Sequence, residues 1–148
     1  MVRYCVLESI DLLYMQLAGQ VDITDVFDVY ERFKGDPKYK PSMQRLTDVR
    51  EMTGLVAEGG TTFAIKNLAE SNADQDQSDK PPLKVVLVNS ALIHGLARQY
   101  ETFSEGLVNE TMVICESETD ALSALGRDER SIAALVEKFS PLPAFFPG

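Results

Sequence analysis

The segment that most constrains the fold of this chain is LKVVLVN, residues 83 to 89. It is almost continuously apolar, which is typical of a β-strand covered on both faces, as the parallel strands of α/β proteins are. A second short strand, ETMVICE at 110 to 116, follows after a segment long enough for one helix. Because parallel neighbours need a crossover connection, this order predicts an α/β fold whose later strands are parallel.

The residues between these two strands carry the clearest helical pattern in the chain. In SALIHGLARQYETFSEGL, residues 90 to 107, apolar side chains recur with the spacing of one helix face. The predicted stripe consists of Leu92, Ile93, Leu96, Ala97, Tyr100, Phe103 and Leu107.

The first half of the chain predicts a hairpin followed by a helix. Short apolar runs at 2 to 8 and 12 to 19 indicate two antiparallel strands. A helix should then start near Asp22 or Thr24 and end at Gly35. The remaining predicted elements are a strand at 44 to 50 and helices at 61 to 72, 117 to 126 and about 129 to 139. Together they predict a mixed five-stranded sheet, with an opening antiparallel hairpin and then parallel strands, and about five helices.

Composition excludes several classes of function. The chain has 148 residues, the usual size of one domain, and a net charge of −9 that argues against nucleic acid as the main partner. No apolar run is long enough to predict a membrane span. Six cations between 32 and 50 form either a basic patch for an anionic group or an ordinary solvated surface; they are Arg32, Lys34, Lys38, Lys40, Arg45 and Arg50.

The sequence predicts neither a bound metal ion nor a cofactor. Its two cysteines, Cys5 and Cys115, each lie among apolar strand residues, which favours buried free thiols in a reducing cytoplasm. The acidic loop at 74 to 79 lacks the glycine and the terminal glutamate of a calcium-binding loop. The N-terminus has no export signal, so we expect a cytoplasmic protein.

Several strings, in their order and spacing, resemble the SpoIIAA-like (STAS/SEC14-type) family of small bacterial proteins. They are VDITDVFDVYERFKGDPKYKPSMQRLTDVREMTG, LKVVLVNSALIHGLARQYETF and VICESETDALSALG, together with the opening hairpin. The resemblance covers residues 1 to 127 and departs from the family pattern at Ser42 and His94, where a glycine and an aromatic residue are expected. It implies one SpoIIAA-like α/β domain, with 128 to 148 forming a C-terminal helix and apolar tail of the same domain or of an interface.

The segment Gly59-Gly60-Thr61-Thr62 is the first candidate site. Its glycines do not have the spacing of a P-loop or of a dinucleotide-binding fingerprint. In the anti-sigma-factor antagonists of the family, the start of the corresponding helix carries a phosphorylated serine. The resemblance therefore implies Thr61 or Thr62 as a phosphoacceptor, whereas the capping preference of threonine predicts that Thr61 is simply the N-cap of the helix.

The carboxyl ends of the predicted strands form the second candidate site, because ligands of open α/β sheets bind there. Asp48, Arg50 and Asn89 lie at these ends, and the following helix adds His94 and Arg98. Arg50 could bind a carboxylate or phosphate, or it could form an ion-pair network with Asp48 and Glu116. His94 is the single histidine and has no evident nucleophile beside it, so no catalytic residue is predicted.

These observations favour a non-enzymatic cytoplasmic regulatory or protein-interaction domain. It would bind a protein partner or form a homodimer through an apolar helix face or the tail PLPAFFPG. The alternative is a carrier for a small apolar or anionic molecule, or a lipid, in a SEC14-like pocket beside the 91 to 107 helix. The first hypothesis predicts self-association, and the second predicts a cavity.

Overall fold

The computed structural model describes residues 1–73, 82–105 and 111–139. Five strands of these residues form a sheet in the order β1-β2-β3-β4-β5. The first two strands are antiparallel and every later neighbour is parallel, which confirms the predicted mixed sheet and its opening hairpin. The strands are β1 Val2–Leu7, β2 Leu12–Asp22, β3 Gln44–Val56, β4 Leu83–Leu87 and β5 Thr111–Cys115.

Helices cover both faces of the sheet. The helices are α1 Ile23–Lys34, α2 Thr61–Ala73, α3 Ala91–Ser104, α4 Glu118–Ala124 and α5 Ile132–Phe139, and a 3-10 turn, Glu8–Ile10, joins β1 to β2. The first three helices bury their apolar sides on one face, with Val26, Ala64 and Ile93 in one core. The last two bury Leu122 and Leu135 on the opposite face in a second core.

The two cores exist because side chains alternate along each strand. In β3, Leu46 is fully buried under α4 and α5, whereas Val49 is buried under the first three helices. Cys5 and Cys115 both belong to the second core and are free thiols, as predicted. The predicted cap of α1 is also present, since Asp22 Oδ1 accepts a hydrogen bond from the Thr24 N–H at 2.9 Å.

The third strand is longer than the predicted 44 to 50. It continues to Val56 because it pairs with β2, which itself runs on to Asp22 through two register shifts. Short-range apolar alternation cannot show this extension, because a neighbouring strand supplies its hydrogen bonds. As a consequence, Asp48 and Arg50 lie inside β3 and not at its end, which corrects that part of the prediction.

Other boundaries also differ from expectation. Helix α5 begins at Ile132, where the Ser131 Oγ accepts a hydrogen bond from the Ala134 N–H at 3.0 Å and ends the preceding turn. The side chain of Leu92, which was predicted to belong to the apolar stripe of α3, is 63% exposed. The acidic segment at 74 to 79, Leu107 and the tail at 141 to 148 lie outside the described residues.

Candidate functional site: an apolar cavity with two buried cations

A cavity of about 130 Å³ lies between the sheet and helices α1, α2 and α3. Its floor consists of side chains from β2, β3 and β4, namely Met15, Leu17, Val49 and Val86. Its walls come from the three helices and include Val26, Ile65, Leu68, Ile93, Leu96 and Ala97. Almost the whole lining is therefore hydrocarbon, as is usual for sites that bind small molecules.

Two cations interrupt this apolar lining. Arg45 and Lys84 both line the cavity and are only 6% and 7% exposed. They occupy paired positions of β3 and β4, near the amino ends of these strands. Arg and Lys side chains are almost never buried unless a partner or a ligand compensates their charge. Arg45 and Lys84 therefore give this end of the cavity a positive charge that the rest of its lining lacks.

Arg45 is held in place by aromatic residues. Its Nη2 donates a hydrogen bond to the Tyr39 hydroxyl at 2.6 Å. Its guanidinium carbon lies 5.7 Å from the ring centroid of Phe33 and 5.9 Å from that of Tyr39, within the range of cation–π attraction. These contacts hold the guanidinium of Arg45 against the aromatic residues beside the cavity.

Two tyrosines and an asparagine complete the polar end. Tyr30 and Tyr100 line the cavity, and the buried Asn72 donates a hydrogen bond from Nδ2 to the Tyr100 hydroxyl at 2.6 Å. Burial raises the pKa of Tyr30 to about 12, and Tyr100 adds to this rise. Lys84 and Arg45 act in the opposite direction because a cation stabilises the phenolate. The hydroxyl of Tyr30 therefore lies within the electrostatic field of both cations.

The predicted ligand residues of β3 face the opposite side of the sheet. Asp48 is 2% exposed and accepts hydrogen bonds from Arg50 Nε at 3.0 Å and Arg50 Nη2 at 2.8 Å. The Tyr14 hydroxyl donates to the same carboxylate at 3.2 Å. Arg50 also pairs with Glu118 at 3.4 Å, so the network includes Glu118 where Glu116 was predicted. The hydrogen bond to Asp48 raises the pKa of Arg50, and the guanidinium stays charged.

Asn89 and His94, two of the predicted residues that follow β4, line a separate depression together with Ser90 and Glu116. Arg98 Nε donates to His94 Nε2 at 3.3 Å, and His94 Nδ1 lies 3.3 Å from a carboxylate oxygen of Glu116. The structure thus brings Asn89, His94 and Arg98 together but separates them from Asp48 and Arg50. A ligand-binding role for either group stays a prediction.

Thr61 and Thr62 are the first two residues of α2. The carbonyl of Gly60 accepts the N–H of Ala64 at 3.2 Å, so Gly60 and not Thr61 occupies the position before the helix. Gly60 has a φ of +99°, which glycine adopts without strain. Thr62 is exposed and Thr61 is partly exposed. Phosphorylation of either residue stays a prediction.

The polar end of the cavity was not predicted from the sequence, although one signal was present. Lys84 interrupts LKVVLVN, a strand predicted to be covered on both faces, and a lysine in such a strand must be buried. Arg45 gave no comparable signal, because it belongs to a run of cations that includes exposed residues. Tyr30 and Tyr100 are spaced as ordinary core residues, and only the fold brings them to the two cations.

The described residues contain no cluster of three or more His, Cys, Asp or Glu side chains suited to a metal ion. Among the same residues, none of the helices has the length and apolar character needed to cross a membrane.

Comparison with known proteins supports the fold. No protein-family model matches the chain, and a search of curated proteins found no significant match. The chain is similar to the crystal structure of an uncharacterized protein of the DUF3478 family with a SpoIIAA-like fold, from Shewanella loihica PV-4. The TM-score is 0.51 at 15% identity, over 77% of this chain and 83% of that one. The SpoIIAA-like fold implied by the sequence resemblance is thereby confirmed.

Proposed function

We propose that this chain is a non-enzymatic ligand-binding domain that holds a small, mainly apolar molecule in the cavity under α1, α2 and α3. The cavity itself carries the proposal, because native cores leave few voids larger than a water molecule. Its location between three helices and the sheet lets a ligand contact apolar side chains on several sides. The buried free thiols Cys5 and Cys115 support a reducing cytoplasm as the site of action.

The volume limits the size of the ligand. An apolar cavity of about 150 Å³ binds benzene, whereas pockets for drug-sized ligands occupy about 300–1,000 Å³. At 130 Å³, this cavity suits a compact ring or a short chain and favours the small-molecule form of the carrier hypothesis over a lipid. Filling it would recover about 3 kcal/mol at about 24 cal/mol per Å³, less than the about 4.1 kcal/mol of a millimolar complex. Useful affinity therefore needs polar contacts as well.

Filling the cavity by mutation tests the proposal. Ala97 lines the cavity from α3, and Ala97→Leu would occupy much of its volume. Ala91→Leu is the matched control, because Ala91 lies on the same helix, is exposed and does not line this cavity. Native mass spectrometry and methyl NMR titration with benzene should show that the wild type and Ala91→Leu bind the ligand. Ala97→Leu should lose this binding. Equal binding by all three proteins would place the ligand elsewhere and contradict the proposal.

A regulatory, protein-interaction role is the second candidate, and exposed apolar residues favour it. Val56, Phe63 and Leu92 are each more than half exposed. Val56 is the last residue of β3, and Phe63 and Leu92 lie in the first turns of α2 and α3, which follow strands at the carboxyl edge of the sheet. Apolar groups at one edge are typical of a contact surface, and we assign them to a second copy of this chain.

Phe63→Ser combined with Leu92→Ser should convert a dimer to a monomer, as measured by light scattering after size exclusion. An unchanged mass would remove this edge from the interface. Thr61 and Thr62 lie beside Phe63, so phosphorylation there would add charge to the same edge. Phosphopeptide mapping after treatment with a cognate kinase tests that part of the proposal.

A further inference from the structure

Three of the five methionines in the sequence line the cavity. Met15 belongs to β2, Met52 to the later part of β3, and Met112 to the start of β5. Met15 and Met52 are buried in the core under the first three helices. The lining therefore includes three flexible thioether side chains, which leucine or valine would not supply.

The methionines reach the cavity from different sides. The strand ladders place Met15 in one row with Thr47, Val86 and Ile114. Met112 lies two residues before Ile114 and therefore on the same face of the sheet. Because β3 and β4 separate β2 from β5, the backbones of the two outer strands lie about 14 Å apart. A ligand between them would meet methionine side chains on opposite sides.

Thioether sulfur attracts aromatic rings. The polarizable sulfur packs at the edge of a ring, about 5 Å away, and this contact adds to the gain from burying apolar surface. Tyr30 also lines the cavity, and an aromatic ligand would pack against its ring in an offset or edge-to-face arrangement. A saturated ligand of the same size would gain the hydrophobic contribution and neither of these two contacts.

We propose that the ligand of this cavity is a compact aromatic molecule whose ring edge contacts the sulfurs of Met15, Met52 and Met112. This inference rests on the proposed function and specifies the chemical class of its ligand. The volume of about 130 Å³ agrees with a single ring, because an apolar cavity of about 150 Å³ binds benzene. The three rotatable bonds of each methionine let the walls adjust to substituents on that ring.

Benzene and cyclohexane are a matched pair of probes for the wild-type protein. Both are six-membered carbon rings without a polar group, and only benzene has a π system. NMR titration should show that benzene binds at least about fourfold more tightly, the ratio given by three sulfur–aromatic contacts at the lower end of their range. Ring currents of bound benzene should shift the methyl signals of Met15, Met52 and Met112.

A variant without the three sulfurs assigns the preference to the methionines. The triple variant Met15→Leu, Met52→Leu, Met112→Leu keeps the hydrocarbon volume nearly unchanged, and cores usually tolerate this exchange. Its ratio of benzene affinity to cyclohexane affinity should fall by about fourfold or more. Met43→Leu is the matched control, because Met43 is 1% exposed and does not line the cavity. This control should keep the wild-type ratio.

The outcomes separate the two proposals. If the wild type binds both probes with equal affinity, the inference of an aromatic ligand is overturned and the cavity remains a binding site. A triple variant that keeps the wild-type ratio would show that the sulfurs have no role and would also overturn the inference. If neither probe binds, the proposed function fails together with the inference. Should the triple variant not fold, biosynthetic replacement of methionine by norleucine removes the sulfurs at nearly the same shape, and the same ratio decides.

Discussion

Removal of the Asp48 carboxylate should destabilise the protein strongly, because this buried group forms an ion pair and a hydrogen bond. The side chain is 2% exposed and accepts hydrogen bonds from Tyr14 and from two nitrogens of Arg50. In Asp48→Ala, the Tyr14 hydroxyl loses its bond to this carboxylate in a buried position. Among the described residues, the Arg50 guanidinium then keeps its ion pair with Glu118, and its exposed part is hydrated.

The magnitude follows from how much water can reach each group. Breaking a fully buried ion pair costs about 3–5 kcal/mol, and a buried hydroxyl left without its bond costs about 1–3 kcal/mol. The Arg50 side chain is 31% exposed, so water can replace part of the lost interaction. We therefore expect the free energy of unfolding to fall by about 2–4 kcal/mol, below the sum of the two costs.

Urea unfolding followed by circular dichroism measures this change. A double-mutant cycle of Asp48→Ala with Arg50→Met isolates the ion pair, and a second cycle with Tyr14→Phe isolates the hydroxyl bond. Lys66→Met is a control for lost positive charge, because Lys66 is exposed on α2. A loss below about 0.5 kcal/mol in Asp48→Ala, the range of ordinary surface changes, would refute the structural role of this pair.

Three further predictions concern pH, backbone conformation and helix capping. Burial raises the pKa of Tyr30 to about 12 from 10.0, so between these pH values the unfolded chain releases a proton that the folded chain retains. The contribution of the neutral Tyr30 to the free energy of unfolding is complete below pH 10 and is lost as the pH rises to 12, by about 1.4 kcal/mol per pH unit. Tyr30→Phe should reduce that slope in urea unfolding at pH 9 to 11. Gly126 has a φ of +72° and open space around its Cβ position, so Gly126→Ala should lower the free energy of unfolding by about 1–2 kcal/mol through backbone strain alone. By contrast, Gly95→Ala inside α3 should raise it by about 0.5–1 kcal/mol; opposite signs in denaturant melts check the pair, and equal signs would contradict it. Ser117 Oγ accepts the N–H of Asp120 at 3.1 Å, so Ser117→Ala should cost about 0.5–2 kcal/mol while Ser123→Ala, within the same helix, should cost less; equal losses would show that the cap does not contribute.

The sequence predicted most elements because their signals are local. Asp22 and Ser117 both cap helices where their residue types indicated a start, and the apolar run at 83 to 89 is a buried strand. Boundaries failed where a distant segment decides them. The extension of β3 to Val56 depends on hydrogen bonds from β2, and no property of residues 51 to 56 taken alone reports that partner.

The candidate site was harder to predict, because its residues are widely separated along the chain. The sequence grouped Asp48, Arg50, His94 and Arg98 at the carboxyl ends of strands, whereas Asp48 and Arg50 lie inside β3 and His94 and Arg98 lie in α3. The fold places the first two and the last two on opposite faces of the sheet. Side-chain alternation along β3 turns Asp48 and Arg50 toward the face covered by α4, whereas His94 and Arg98 belong to α3, which packs on the other face.

What the sequence by itself determined is the order of strands and helices and the caps Asp22 and Ser117, which depend on neighbours within a few residues. The parallel later strands followed from the helices that connect them. Only the tertiary structure decided that Arg45 and Lys84 meet across two strands inside an apolar cavity. The physical reason is that charge repulsion and cavity volume depend on distances in space. Arg45 and Lys84 lie 39 positions apart in the sequence (84 − 45) and acquire those distances only when the sheet forms.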